Sequence, residues 1–182
     1  MSKELIVFID SGDTLIDEST EVFNENNDVI HADMIKGARE MLISLYNSGY
    51  RIALVADGRT SSFRNVYREL GLEYIFEEWI ISEEVGVIKP DALMFCTAMK
   101  RMGLTEQDKK RIVMIGNNLE RDILGANRMG ITSILESYSP RYVMKPQIKE
   151  EVPDYVVAMP KEIPPLLEQL DLQLKNKRVL DR

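Results

Sequence analysis

Short apolar runs and amphipathic stretches alternate along the chain. Runs rich in β-branched residues predict strands, and segments whose apolar residues recur every three or four positions predict helices. Strands are expected at residues 5–9, 52–56, 80–81, 111–115, 131–135 and 155–157. Helices are expected at about residues 34–45, 60–70, 91–102, 119–129 and 163–170. This alternation favours an α/β fold, a three-layer sandwich with a mostly parallel, Rossmann-like sheet between helices.

The length of the chain predicts a single domain. Its 182 residues suffice for one substantial core and are too few for two ordinary ones. After the first strand, residues 16–31 are polar and rich in Asp, Glu and Asn. They predict a loop or a short flap, because the segment is too short for a separate folded cap. We therefore expect residues 1–182 to form one domain without a cap.

Composition and charge exclude several classes of function. The net charge is −7 and no basic block is present, so neither nucleic acid nor an anionic membrane is an expected partner. No apolar stretch approaches membrane-spanning length and no secretory signal precedes Leu5, which predicts a cytoplasmic protein. The single cysteine, Cys96, is expected to be a packed small hydrophobe. The lone His31 makes a histidine triad or a zinc cluster improbable, and it is expected at a helix start or in a loop.

Candidate chemistry lies at the ends of the predicted strands. Asp10 follows the first buried run, where open α/β sheets place their ligands. A buried carboxylate is costly unless a metal ion or a substrate pairs with it. Three further segments carry groups that such a carboxylate would need: Ala56-Asp57-Gly58-Arg59, Gly86-Val87-Ile88-Lys89-Pro90-Asp91 and Gly116-Asn117-Asn118-Leu119-Glu120-Arg121-Asp122.

The four segments, in this order and at these separations, resemble the four motifs of the haloacid dehalogenase-like (HAD) hydrolase superfamily. The resemblance runs from Phe8 to about Val157. It implies that Asp10 attacks phosphorus and forms an aspartyl-phosphate, which water then hydrolyses. It also implies that Lys89 offsets the charge between this nucleophile and the phosphoryl oxygens.

The resemblance further implies a divalent metal and a phosphoryl-binding segment. The expected ion is Mg²⁺, which prefers hard oxygen ligands. Its implied ligands are Asp10, the backbone carbonyl of Gly12, Asn117 and Asp122. The implied substrate-binding positions are Ala56, Asp57, Gly58 and Lys89.

Three positions depart from the family pattern. The general acid is usually an aspartate two residues after the nucleophile, where this chain has Gly12. Asp13 is a candidate replacement, although a shift of one residue redirects a side chain. Ala56 stands where a serine or threonine usually donates to the phosphoryl group. Asn117 replaces a metal-binding aspartate, so its amide offers an oxygen without charge and metal affinity should fall.

The expected function is a Mg²⁺-dependent phosphatase with reduced activity on esters that need an acid. The alternative is a non-catalytic HAD-like domain that binds a phosphorylated ligand or a protein; a dehalogenase is weaker, since Lys89 and Asp122 suit a metal-phosphate site. The expected partner is a small phosphorylated substrate or a phosphoprotein, and a homo-oligomer could cover the open site. Four residues of a long connection could supply cover or contact a partner, while a core-capping aromatic pair with solvated bases is the simpler interpretation: Tyr138, Arg141, Tyr142 and Lys145.

Overall fold

A six-stranded parallel sheet forms the centre of the protein. The structure is a computed structural model that describes residues 3–138 and 141–180. The strands are β1 (Ile6–Ile9), β2 (Val22–Phe23), β3 (Val29–His31), β4 (Arg51–Ala56), β5 (Glu78–Ile81), β6 (Ile112–Gly116), β7 (Thr132–Glu136) and β8 (Tyr155–Val157). The central sheet has the order β5-β4-β1-β6-β7-β8, with every neighbouring pair parallel.

Helices cover both faces of this sheet. They are α1 (Ala38–Asn47), α2 (Thr60–Glu69), α3 (Ser82–Val85), α4 (Ala92–Arg101), α5 (Leu124–Met129) and α6 (Ile163–Leu180). One apolar core joins the sheet to α1, α2 and α6, and a second core joins the opposite face to α4 and α5. The predicted three-layer α/β architecture without a separate cap is confirmed.

Three helix boundaries differ from the sequence prediction, two of them for local reasons. Helix α1 begins at Ala38 rather than near Met34, because Gly37 before it adopts a left-handed φ of +88°. Helix α4 begins at Ala92, where the Asp91 side chain accepts a hydrogen bond from the Leu93 backbone N–H at 2.8 Å. The last helix continues ten residues beyond its predicted end, to Leu180.

The polar segment after β1 forms a small flap. Strands β2 and β3 pair antiparallel as a two-stranded sheet, and β3 lies against α2. The Val29 backbone N–H donates to Ser62 Oγ at 3.0 Å, and Asn65 Nδ2 donates to the Val29 carbonyl oxygen at 3.1 Å. The flap therefore has a fixed position against α2. His31 lies in β3 beside Glu69 of α2, so its expected place at a helix start or in a loop is wrong.

Cys96 does not pack in the core. Its neighbours Met94 and Phe95 turn toward the sheet, whereas Cys96 lies on the exposed side of α4, so the sequence expectation is wrong here.

Among the described residues, none of the helices has the length and apolar composition needed to span a membrane.

Glu136, at the end of β7, is fully buried. Neither carboxylate oxygen has a hydrogen bond among the described residues, and burial raises the pKa of Glu136 from 4.5 to about 8. The folded state therefore binds this proton more tightly than the unfolded state. The contribution of Glu136 to stability is fully present below about pH 4.5 and is lost as the pH rises through about 8.

Glu136→Gln should remove this pH dependence and stabilise the protein at neutral pH. Glutamine imitates the protonated carboxyl, so we expect a gain of about 3 kcal/mol at pH 7. For a chain of this size the gain corresponds to roughly 6–12 °C in Tm. Urea unfolding from pH 5 to 8 measures it, with Glu40→Gln as an exposed control on α1. Equal pH slopes for wild type and Glu136→Gln would contradict this assignment.

Candidate active site

Three charged side chains meet at the carboxyl end of the sheet. The Lys89 ammonium nitrogen lies 2.6 Å from Asp10 Oδ1 and 2.6 Å from Asp122 Oδ1. It also donates to the carbonyl oxygen of Val55, the penultimate residue of β4, at 2.9 Å. All three side chains are buried or nearly so. Two carboxylates therefore share one buried cation.

Neighbouring strands place these groups together. Asp10 directly follows β1, and its backbone N–H donates to the carbonyl oxygen of Ile115 in β6 at 2.9 Å. Asp122 reaches the same point from the π-helix Leu119–Ile123, which follows β6. Gly116 permits this approach, because a Cβ there would lie 2.3 Å from the Asp122 carboxyl group. A side chain at position 116 would therefore displace the Asp122 carboxyl group from its present position.

The electrostatics keep Lys89 charged. Burial alone would lower the pKa of Lys89, but the adjacent Asp10 and Asp122 carboxylates outweigh it, so the pKa is raised. The Asn118 backbone N–H donates to Asp122 Oδ2 at 3.1 Å and fixes the second oxygen of that carboxylate. Burial raises the pKa of the Asp122 carboxyl group, although the neighbouring Lys89 ammonium group opposes this rise.

Two adjoining cavities open at this end of the sheet. The small, polar one contains Asp10 and Lys89, and its lining is Asp10, Gly12, Glu18, Asp57, Lys89, Asn117, Asn118, Arg121, Asp122 and Tyr142. The other, of about 190 Å³, lies between the flap and α2 and is largely apolar, with Ile16, Phe23, Val29 and Phe63 in its wall. We call them the polar cavity and the apolar cavity. A ligand that spans both would have one charged end and one apolar end.

The connection between β7 and β8 reaches over the site. Arg141 Nε lies 2.6 Å from Asp13 Oδ2, and the same guanidinium group pairs with Glu18. Tyr142 lines the polar cavity. Arg141 and Lys145 are exposed, as expected of solvated bases, although Arg141 also pairs with two carboxylates. Tyr138 packs against the core, as expected, whereas Tyr142 is exposed, so the expected core-capping pair is wrong for Tyr142. Residues 139 and 140 of this connection lie outside the described residues.

Glu18 lies between this connection and the backbone of Gly12. It begins a short 3₁₀-helix, Glu18–Thr20, and its backbone N–H donates to Asp13 Oδ1 at 3.1 Å. Burial and the neighbouring Asp13 carboxylate raise the pKa of Glu18 to about 7, against the opposing charge of Arg141. Glu18 lines both cavities.

Residues 4–135 match the sequence family described as haloacid dehalogenase-like hydrolase. This chain belongs to that family. The match covers β1 to β7 and includes every predicted site residue, which confirms the family resemblance found in the sequence. The match is to the family as a whole, so it does not specify a substrate.

Individual relatives and solved structures agree with this assignment. The chain is 30% identical over 129 residues to glyceraldehyde 3-phosphate phosphatase of Methanopyrus kandleri, covering 71% of this chain and 54% of that protein. It thus spans about half the length of that curated relative. An uncharacterized protein from Listeria monocytogenes serotype 4b has the same fold, with a TM-score of 0.73, 23% identity, and coverage of 91% and 98% of the two chains.

A second solved structure bears on the metal. The putative HAD-hydrolase YfnB of Bacillus subtilis, described as bound to magnesium, matches with a TM-score of 0.66 and 24% identity. The match covers 74% of this chain and 56% of that one. This likeness establishes the shared fold, and magnesium is a property of that protein.

Most of the predicted site residues converge, and two do not. Asp10, Gly12, Asp57, Lys89, Asn117 and Asp122 line the polar cavity, and Gly58 lines the apolar one. Ala56 packs in the core and lies in the wall of neither cavity, so its placement does not support the expected substrate contact. Asp13 is bound by Arg141 and the Glu18 N–H and is also absent from both walls. Its side chain supports the flap, and a catalytic role for it stays a prediction.

The residues at this site suit a hard divalent cation, and two of the candidate ligands are carboxylates. The candidate ligands, Asp10, Asp122, Asn117 and the Gly12 carbonyl, are oxygen donors, the set that Mg²⁺ prefers. The Asn117 amide nitrogen is buried and has no hydrogen-bond partner among the described residues, so no hydrogen bond from that nitrogen holds the side chain in its present orientation. Within the described ranges no cluster of three or more His, Cys, Asp or Glu side chains is suited to a metal. The donor set is therefore compatible with Mg²⁺ and includes two carboxylates, Asp10 and Asp122.

Sequence reasoning missed Glu18 and Arg121 as residues of this site. Arg121 precedes Asp122 and lies 3.5 Å from Asp57 Oδ2 through its guanidinium nitrogen. Because Arg121 belongs to the fourth of the segments that carry the family resemblance, its sequence position could have suggested a place in the site. Glu18 lies in a stretch of acidic and polar residues without periodicity, and only the folding of the flap brings it to Gly12.

Proposed function

We propose that this protein is a Mg²⁺-dependent phosphatase that acts through an aspartyl-phosphate on Asp10. The observation that carries the proposal is the Lys89 ammonium group, 2.6 Å from Asp10 Oδ1, within a polar cavity at the carboxyl end of the sheet. A carboxylate nucleophile meets strong repulsion from a phosphate dianion. A buried lysine beside it lowers this repulsion, because charges interact strongly where water is excluded.

The chain's own residues account for two steps. An Asp10 oxygen attacks phosphorus and the bond to the leaving oxygen breaks, while Lys89 faces the phosphoryl oxygens and keeps Asp10 in place. Water then attacks the phosphorus of the aspartyl-phosphate and releases inorganic phosphate and free Asp10. Asp10, Asp122, Asn117 and the Gly12 carbonyl would hold Mg²⁺, which when bound would neutralise the negative charge of the phosphoryl group.

The proposed substrate class is a small phosphate monoester. The apolar cavity adjoins the polar cavity, and its volume of about 190 Å³ suits a small leaving group. The curated relative named above acts, by its name, on glyceraldehyde 3-phosphate, also a small monoester. The cover that Arg141 and Tyr142 place over the opening favours a small molecule over a phosphoprotein.

Hydrolysis of p-nitrophenyl phosphate tests this proposal most directly. We expect turnover that requires Mg²⁺ and stops when EDTA is added. The absence of a hydroxyl at Ala56 and of a full charge at Asn117 favours a second candidate, a domain that binds phosphorylated ligands without turnover. Protection of the protein by vanadate or phosphate in thermal unfolding, without hydrolysis of any ester, would establish that candidate and contradict the phosphatase.

Asn117→Asp should strengthen Mg²⁺ binding by at least about tenfold. The change adds a unit charge to a buried site with two carboxylates. It removes an amide nitrogen that has no hydrogen-bond partner in the described part of the chain. Desolvation of the new carboxylate cancels much of the gross attraction. Isothermal titration of Mg²⁺ measures the effect. Asn47→Asp is the matched control, since it adds the same charge at the exposed end of α1. Equal or weaker binding by Asn117→Asp would contradict the proposed ligand set.

A further inference from the structure

Glu18 takes the space of the side chain that Gly12 lacks. A Cβ built on Gly12 would lie 1.8 Å from Glu18 Oε1 and 2.7 Å from Glu18 Cδ. No ordinary side chain at position 12 could coexist with Glu18 as it stands. The carboxyl group of a residue six positions later therefore lies immediately beside the backbone of the second residue after Asp10.

The two cavities define where a leaving group must lie. Their walls have three residues in common, Gly12, Glu18 and Asp57. A phosphate ester with its phosphoryl group at Asp10 and its organic part in the apolar cavity must cross this boundary. The bond that breaks therefore lies near these three residues.

Of the two carboxyl groups at the boundary, Asp57 is held by other groups. Asp57 Oδ1 accepts the Lys89 backbone N–H at 3.0 Å, and Oδ2 faces the Arg121 guanidinium group at 3.5 Å. Glu18 is held through its backbone by Asp13, and Arg141 contacts one of its carboxylate oxygens, Oε2. Its other oxygen, Oε1, is the one that lies against Gly12.

We propose that Glu18 is the general acid and base of this hydrolase, delivered by the flap in place of a side chain at position 12. The inference rests on the proposed phosphatase function and deepens it. As Asp10 attacks and the phosphorus–oxygen bond breaks, the leaving oxygen keeps the electron pair and takes the proton of the Glu18 carboxyl group. The resulting carboxylate then accepts a proton from the water that attacks the aspartyl-phosphate, which restores Glu18. Asp13 and Arg141 are positioning residues in this arrangement.

The dependence of turnover on the leaving group tests the assignment. Rates are measured for phosphate esters from p-nitrophenyl phosphate to phenyl phosphate and an alkyl phosphate. In Glu18→Gln we expect kcat/KM, which reports phosphoryl transfer to Asp10, to fall about a hundredfold or more for the alkyl ester and to change little for p-nitrophenyl phosphate. The kcat should fall for both esters, because the water step that they share loses its base. Glu25→Gln, the same replacement at an exposed position of the flap turn, should match wild type across the series.

Moving the acidic side chain from position 18 to position 12 provides a second, independent experiment. Glu18→Ala empties the space beside Gly12, so the double variant Gly12→Asp with Glu18→Ala should regain alkyl phosphatase activity relative to Glu18→Ala alone. A series that keeps the wild-type slope in Glu18→Gln would overturn the assignment while leaving the phosphatase proposal intact. A steep series in Asp13→Asn with a wild-type slope in Glu18→Gln would instead assign the acid to Asp13. Failure of wild type to hydrolyse any ester in the series would overturn both proposals.

Discussion

Asp10→Asn should abolish phosphatase turnover, with a loss of at least about a thousandfold in kcat. The amide has nearly the same shape as the carboxylate but is a poor nucleophile, so no aspartyl-phosphate forms. The fold should remain intact, since Lys89 keeps its contacts to Asp122 and to the Val55 carbonyl oxygen. Turnover of p-nitrophenyl phosphate and the Tm of the purified variant measure both effects.

The control for this variant makes the same chemical change away from the site. Asp33→Asn replaces an exposed aspartate on the segment between the flap and α1 and should keep wild-type turnover. Near-normal hydrolysis by Asp10→Asn would contradict Asp10 as nucleophile. Unfolding of the variant would show instead that the Asp10 carboxylate is needed to hold Lys89.

The sequence was sufficient to predict the fold and the centre of the site, because both depend on short-range patterns. Apolar runs ending in polar residues located β1, β4 and β6, and adjacent parallel strands bring their carboxyl ends together. Asp10, Lys89 and Asp122 were therefore predictable as a group. The family resemblance also placed Lys89 near Asp10, but the second contact of Lys89, to Asp122, was not expected from the sequence.

Features that depend on the path of loops were less predictable. Nothing in the spacing of residues 16–31 indicates that a hairpin packs on α2 and brings Glu18 to Gly12. Arg141 is equally remote, since it lies 128 residues beyond Asp13 in sequence and pairs with it across the site. Such contacts come from tertiary packing, for which a local pattern carries no information. The altered motif was thus visible in the sequence, and its structural compensation was not.

Lys89→Met should destabilise the folded protein by about 3–5 kcal/mol, the cost observed when one partner of a buried ion pair is removed. Methionine fills a similar volume but leaves the Asp10 and Asp122 carboxylates facing each other without a cation. Both are already largely removed from water, so neither regains its hydration by small movements. The loss is a large share of the stability of an ordinary domain. Urea unfolding measures it, and Lys100→Met, on the exposed side of α4, is the matched control.

A double variant separates electrostatics from packing in this prediction. If uncompensated charge is the cause, adding Asp122→Asn to Lys89→Met removes one of the two facing charges and should recover a large part of the lost stability. If the shape of the lysine stem is the cause, the second change should add its own cost instead. The coupling between positions 89 and 122 in this double-mutant cycle is expected to exceed about 1 kcal/mol. Additive losses would show that Lys89 stabilises this fold by packing. They would contradict the prediction that it does so by neutralising the Asp10 and Asp122 carboxylates.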